Sequence, residues 1–167
     1  SYDTYLKKVD EYTIEGYRFS HGWSPQHKVF FVMKFDQPIA SVQVFKGDEP
    51  AGADELTAEN VKGVVSFLDN PENVMAKVAI SSVGCPNAGL NMQTELPHWD
   101  FAQVRQAAKE KWNDQLACVA IDGADEKDRK VFYTAIYHAF IAPTLYCDVN
   151  GEFRGQDDQI YKDNDWT

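Results

Sequence analysis

The sequence is short of several things, and each shortage narrows what the chain can be. Long apolar runs are missing: the densest, residues 29–33, falls far below the roughly 20 residues a helix needs to cross a bilayer. The first nine residues lack the apolar core of a signal peptide, which leaves the compartment open if the chain is cut from something longer. Basic charge is scarce, with 16 Lys and Arg against 26 Asp and Glu and a formal net charge of −10. No local cluster offsets it, because Lys127, Arg129 and Lys130 are interleaved with Glu126 and Asp128. Nucleic acid and anionic membrane surfaces are therefore poor partners. Cys85, Cys118 and Cys147 form an odd, widely spaced set that argues against a disulfide framework and against a thiolate metal site. No phosphate-cradling glycine loop, Gly-x-Ser-x-Gly elbow or His-Glu-x-x-His pair occurs. What is present suits a soluble folded protein, with 44% hydrophobic and 13% aromatic residues in a chain of 167, long enough for a sizeable core.

The first half reads as strands. Residues 12–19 alternate loosely, 28–35 are rich in aromatic and β-branched side chains, and 39–45 place Ile39, Val42, Val44 and Phe45 as a third strand. Residues 47–60, acidic and glycine-bearing, read as an exposed loop. Strands follow at 61–67 and 74–83, the latter with Val74, Ala76, Val78 and Ile80 on one side and Met75, Lys77, Ala79 and Ser81 on the other. Short strands with Gly, Pro and Asn turns suggest an antiparallel β-sandwich.

After Pro97 the period changes. Asp100 with Gln103 forms an N-cap pair, and Phe101, Val104, Ala108, Trp112 and Leu116 mark one face of a helix. A short extended piece over 117–121 leads to Asp125, which caps a second helix expected to run to Ala142 and stop at Pro143. Residues 131–142 are apolar on nearly every face, a pattern that belongs to a helix buried on all sides. This predicts that the chain is part of something larger. Asn150-Gly151, between 145–149 and 152–154, predicts a hairpin at 145–155. The fold class expected is α+β, a sandwich portion followed by two helices.

Few constellations suggest chemistry. Asp148, Asn150, Glu152, Asp157 and Asp158 invite a calcium reading, but the spacing fails the EF-hand template, and a hairpin turn with solvated acids explains them better. Glu95 and Asp100 flank His98 and Trp99, a set that could serve acid and base roles on a sugar, since inverting glycosidases hold two carboxyls roughly 6.5–9.5 Å apart. Helix capping by Asp100 and packing of Trp99 at a domain junction account for the same residues. His138 reads as a hydrogen-bonded core histidine and Cys85 as a weak nucleophile with no histidine near it in sequence.

Several blocks resemble a known family. SSVGCPNAGLNMQTELPHWDF at 81–101, the Trp112-Asn113 helix, IDG at 121–123, VFYTAIYHAFIAP at 131–143 and DVNGEFRGQD at 148–157 are similar to glycoside hydrolase family 92, the exo-acting α-mannosidases. The resemblance extends more weakly to GYRFSHGWS and KVFFVMKFDQP. It implies residues 1–97 as the end of an N-terminal sandwich, 98–124 as a linker helix with a short extended segment, and 125–167 as a second linker helix or the first helix of an (α/α)6 barrel. It also implies a secreted, periplasmic or cell-surface enzyme that acts on mannose-containing glycans with inversion and needs calcium. The acid, base and main calcium ligands would lie beyond Thr167, so no catalytic and no metal-binding residue is assigned here. His138, Asp148 and Arg154 are the candidates to approach the mannose pocket. Cys85, Pro86 and Gly89 depart from the family pattern and give 81–91 a turn-forming, loop-like reading. Two other readings stand beside this one: a carbohydrate-binding sandwich with Trp23, Trp99 or Trp112 as a stacking platform, and a structural domain that docks another chain through its helix face.

Overall fold

A computed structural model describes residues 1–22 and 24–163. The class is α+β with antiparallel sheets. Strands β1 (Asp3–Lys8), β2 (Thr13–Ser20), β3 (His27–Phe35), β4 (Ile39–Lys46), β5 (Glu49–Pro50), β6 (Glu55–Ala58), β7 (Val61–Phe67) and β8 (Ala76–Ser81) precede helix α1 (Cys85–Glu95). Helices α2 (Phe101–Leu116) and α3 (Glu126–Ala139) follow, then strands β9 (Glu152–Arg154) and β10 (Ile160–Lys162). The described residues divide into two compact units, one holding Ser1–Trp99 with residues 146–163, the other Asp100–Leu145.

In the first unit, a five-stranded sheet in the order β6-β1-β2-β3-β8 packs on a three-stranded sheet, β5-β4-β7. The core between them joins Ile14 and Phe35 of the larger sheet to Ile39, Val42 and Val44 of the smaller, with Leu6, Phe31, Met33 and Phe67 around them. Strand alternation explains this division, since Phe31, Met33 and Phe35 share one face of β3 while Val32 points to the other. On that other face, α1 lays Ala88 and Met92 against Val32 and Ala79. Gly16 on β2 has a packing cause: a Cβ there would run into the Tyr5 carbonyl and the Phe31 ring.

Three local expectations change. Residues 81–91 are largely helical, because Pro86 sits in the first turn of α1, where its missing N–H forfeits no bond. The 47–60 segment is more than a loop: its β6 pairs with β1, itself a strand the alternation did not reveal. In β8 the sequence pairs Val78 with Ile80 as an apolar face, yet both are exposed, and the face carrying Lys77, Ala79 and Ser81 is the covered one. The small side chains of Ala79 and Ser81 let α1 approach that face closely.

The Asn150-Gly151 hairpin at 145–155 is also corrected. Gly151 does turn the chain at φ +81°, closed by Gly151 N–H to Asp148 O (2.8 Å) and Asp148 N–H to Glu152 O (2.8 Å). The ladder, however, runs between β9 and β10, with Arg154 opposite Ile160. Residues 145–149 form no strand, and the backbone N–H of Val149 is taken by the Asn91 amide oxygen (3.0 Å) instead.

The second unit holds the two expected helices. Asp100 caps α2 by accepting from Gln103 N–H (2.9 Å), and Asp125 caps α3 by accepting from Asp128 N–H (2.8 Å). The last turn of α3 closes earlier than Ala142, with Phe140 N–H reaching the carbonyls of Ile136 and Tyr137. The 117–121 piece forms no strand. Trp112 and Tyr137 meet at 4.5 Å between ring centroids, and Tyr133 Oη donates to Val119 O. No residue of α2 or α3 is buried; Val131 is 63% exposed.

Candidate functional site

The densest polar cluster lies where α1, the end of β8 and the 148–154 segment meet. Asn87 and Asn91 stand one helical turn apart on α1, which puts both amides on one face. That face meets Asp148, which is only 7% exposed. Its Oδ2 accepts from Ser81 Oγ (2.6 Å) and Asn87 Nδ2 (2.9 Å), and its Oδ1 accepts from Asn91 Nδ2 (2.7 Å). A buried carboxylate is tolerable only when charge-assisted bonds such as these replace its water. Asn91 also donates to Ile80 O and accepts from Val149 N–H, so it ties β8 to the returning segment on both sides of Asp148.

Glu152 accepts the same Asn87 amide (2.9 Å), and that bond, with help from Asn150, holds its carboxyl below the usual range. Arg154 spreads its guanidinium over the 81–84 loop: Nε donates to Ser82 O (2.8 Å), one terminal nitrogen to Val83 O (3.1 Å), the other to Asp158. Asp158 also takes Lys28 Nζ at 2.6 Å, and that hydrogen bond is the chief reason its carboxyl sits low. Cys85 is half-buried, and desolvation pushes its thiol up, the reverse of what a nucleophile needs.

The predicted site residues thus separate into two groups. Asp148 and Arg154 belong to one cluster, and their polar atoms are engaged by protein groups. His138 lies on α3 in the other unit, exposed, in the last helical turn, its ring 5.7 Å from that of Tyr137. A basic side chain there also suits the negative end of the helix. Sequence reading missed Ser81, Asn87 and Asn91 as the partners of Asp148; recognising Pro86 as a helix start would have put both asparagines on one face. Glu95 is exposed and Asp100 acts as a cap. Trp99 carries Lys77 Nζ over its ring at 4.3 Å and borders a shallow depression of about 710 Å3 with Tyr12, Lys34 and Asp36. Trp112 packs on Tyr137, and Trp23 lies outside the described residues.

The run Asp148, Asn150, Glu152, Asp157, Asp158 does not fit a calcium ion. Asp148 faces Ser81 and the two asparagines, Asn150 accepts from Glu152 N–H, and Asp157 takes the Tyr161 hydroxyl. Among the described residues, no group of three or more His, Cys, Asp or Glu is placed to hold a metal.

Comparison with known proteins bears on these features. The glycosyl hydrolase family 92 N-terminal domain model matches residues 1–81, and the family 92 catalytic domain model matches residues 87–167. No curated protein matches the chain. Among solved structures, the family GH92 α-mannosidase BT3965 from Bacteroides thetaiotaomicron is 28% identical with a TM-score of 0.89, over 97% of this chain and 23% of that one. The same enzyme has been solved with mannoimidazole, at 28% identity and a TM-score of 0.88 over 97% of this chain and 22% of that one. The family GH92 inverting mannosidase BT2199 from Bacteroides thetaiotaomicron VPI-5482 shares the fold at 19% identity, TM-score 0.84, over 96% of this chain and 23% of that one. The chain therefore spans about a quarter of the length of the structures it matches. With an N-terminal and a catalytic family segment following one another over almost its whole length, the chain belongs to glycosyl hydrolase family 92 and carries the junction between those two segments.

Proposed function

We propose that the complete polypeptide containing this chain is a glycoside hydrolase, an exo-acting α-mannosidase that removes terminal α-linked mannose from glycans. The observation that carries this reading is the 28% identity over 97% of the chain to an α-mannosidase also solved with mannoimidazole. Inversion is the proposed stereochemistry: a general acid protonates the leaving oxygen while a base on the opposite face activates water. By the family resemblance, the acid and base are assigned to other parts of the polypeptide; of the carboxylates here, Asp148, Glu152 and Asp158 are committed to internal hydrogen bonds. Calcium is proposed for the enzyme by family resemblance; among the described residues no group of three or more His, Cys, Asp or Glu is placed to hold it, and its ligands are assigned to other parts of the polypeptide. The helices α2 and α3 are read as the approach to a helical barrel, and exposed His138 is the residue of this stretch proposed to face the sugar pocket. A secreted, periplasmic or cell-surface location is part of the same reading.

The test is mannose release from an α-linked mannobiose by the complete polypeptide. Proton NMR should show the β-anomer first, and chelation should abolish turnover until calcium is restored. Absence of hydrolysis under calcium-replete conditions refutes the reading, and first appearance of the α-anomer refutes inversion. The chain of 167 residues alone is expected to be inactive.

A further inference from the structure

The point where the two family segments meet is not where the first compact unit ends. The segments meet between residues 81 and 87, yet α1 and the β9–β10 hairpin, both on the catalytic side, lie within the same unit as the N-terminal sheets. Such a junction would ordinarily be a hinge, with backbone groups left to solvent. Here side chains take up most of the polar groups of 81–84. Ser81 Oγ accepts from Val83 N–H (2.9 Å) and Gly84 N–H (3.4 Å), and so orders the entry to α1, whose N-cap, Gly84, has no side chain to do so. That hydroxyl is aimed by its own donation to Asp148. Ser82 Oγ accepts from Arg154 N–H (3.3 Å), and the carbonyls of Ser82 and Val83 are both taken by the Arg154 guanidinium. Asp158 then fastens the same arginine and Lys28 of β3, 130 residues earlier in the chain.

We propose that residues 146–162 form a strap which Asp148 and Arg154 lock across the domain junction, turning a hinge into a fixed element, and that both are positioning residues for the hydrolase. Asp148 acts through Ser81 and Arg154 through the loop carbonyls. The activity part of this inference rests on the mannosidase reading; the locking part does not. Glycosidase carboxyls lose rate steeply when displaced by an ångström, so a freed junction should lower kcat more than it raises KM.

The experiment uses the complete polypeptide and its Asp148→Asn, Ser81→Ala and Arg154→Lys variants. Hydrogen exchange read by mass spectrometry should show peptides covering 81–91 and 148–162 exchanging at least tenfold faster together in Asp148→Asn, with 39–46 and 61–67 unchanged. Ser81→Ala should raise exchange over 81–91 in the same way, since it removes both the donor to Asp148 and the acceptor of the Val83 and Gly84 N–H groups. Turnover of an α-mannoside, measured at a temperature where circular dichroism shows each variant folded, should fall about tenfold in kcat. Unchanged exchange in either peptide overturns the lock. Raised exchange with unchanged kcat overturns the positioning role. A wild-type enzyme without activity refutes the mannosidase reading and the positioning role with it, while the exchange measurement still decides the lock. Should Asp148→Asn fail to fold, Arg154→Lys, which keeps the charge but loses the fork, carries the same comparison.

Discussion

Replacing Asp148 with alanine is the sharpest test of how the first unit is held together. The substitution removes an acceptor that Ser81, Asn87 and Asn91 share, all at 2.6–2.9 Å. Hydrogen bonds to a charged group contribute about 1.5–3 kcal/mol each, so their simple sum would reach about 5–9 kcal/mol. That sum is too large, because Asn87 keeps Glu152 and Asn91 keeps the Ile80 carbonyl, leaving Ser81 as the donor whose acceptor is lost outright. The carboxylate's own desolvation cost also disappears with it. A loss of about 3–4 kcal/mol is the expected balance, which for a chain of this size lowers the thermal midpoint by about 6–16 °C. Thermal unfolding of the 167-residue chain, followed by near-ultraviolet circular dichroism and compared with wild type, measures it. The Asp148→Asn variant keeps the shape and one acceptor oxygen and should lose about half as much. A loss under about 1 kcal/mol for alanine would mean the cage is relaxed or water-filled, and the reasoning would fail.

Two other perturbations probe different parts of the fold. Glu152 and Asp158 both titrate low, the first chiefly through the Asn87 amide and the second chiefly through Lys28. A carboxyl that is lower when folded binds fewer protons in the native state, so its stabilising effect is complete above the unfolded value near 4 and is lost as pH falls through the folded one. Urea unfolding should therefore weaken below about pH 4.5, and Lys28→Met should flatten that slope; a curve parallel to wild type would contradict the assignment. Gly16→Ala should destabilise by about 1–3 kcal/mol, since the added carbon meets the Phe31 ring and the Tyr5 carbonyl, and a neutral result in thermal unfolding would refute that close approach.

Much of the architecture is legible in the residues because single elements have strong local signals. The strand over 61–67 and both helix starts follow from alternation and from Asp100 and Asp125 as caps. What stays hidden depends on partners distant in sequence. The covered face of β8 is chosen by α1, which no pattern inside 76–81 encodes, and two Ala and Ser side chains are favoured over Val78 and Ile80 because a helix must fit there. The partner of β9 is likewise hidden: β10 pairs with it, while the preceding Val149 gives its N–H to Asn91, 58 residues away. The site reading divides the same way: DVNGEFRG stands out as a block in the sequence, while its engagement with Ser81, Asn87 and Asn91 emerges only in three dimensions.

The return of the chain at Tyr146 has a consequence for how the protein folds. The 46 residues from 100 to 145 leave a compact unit and come back to it, so that unit is closed by contacts such as Lys28 to Asp158, separated by 130 positions. Closing a loop of 130 residues costs about 4 kcal/mol of chain entropy before any contact is gained. During synthesis on the ribosome, the core between the sheets needs no residue past Phe67, but the face of α1 that carries Asn87 and Asn91 stays wet until the helical excursion has emerged and the strap can reach back. High contact order of this kind makes slow folding the expected behaviour.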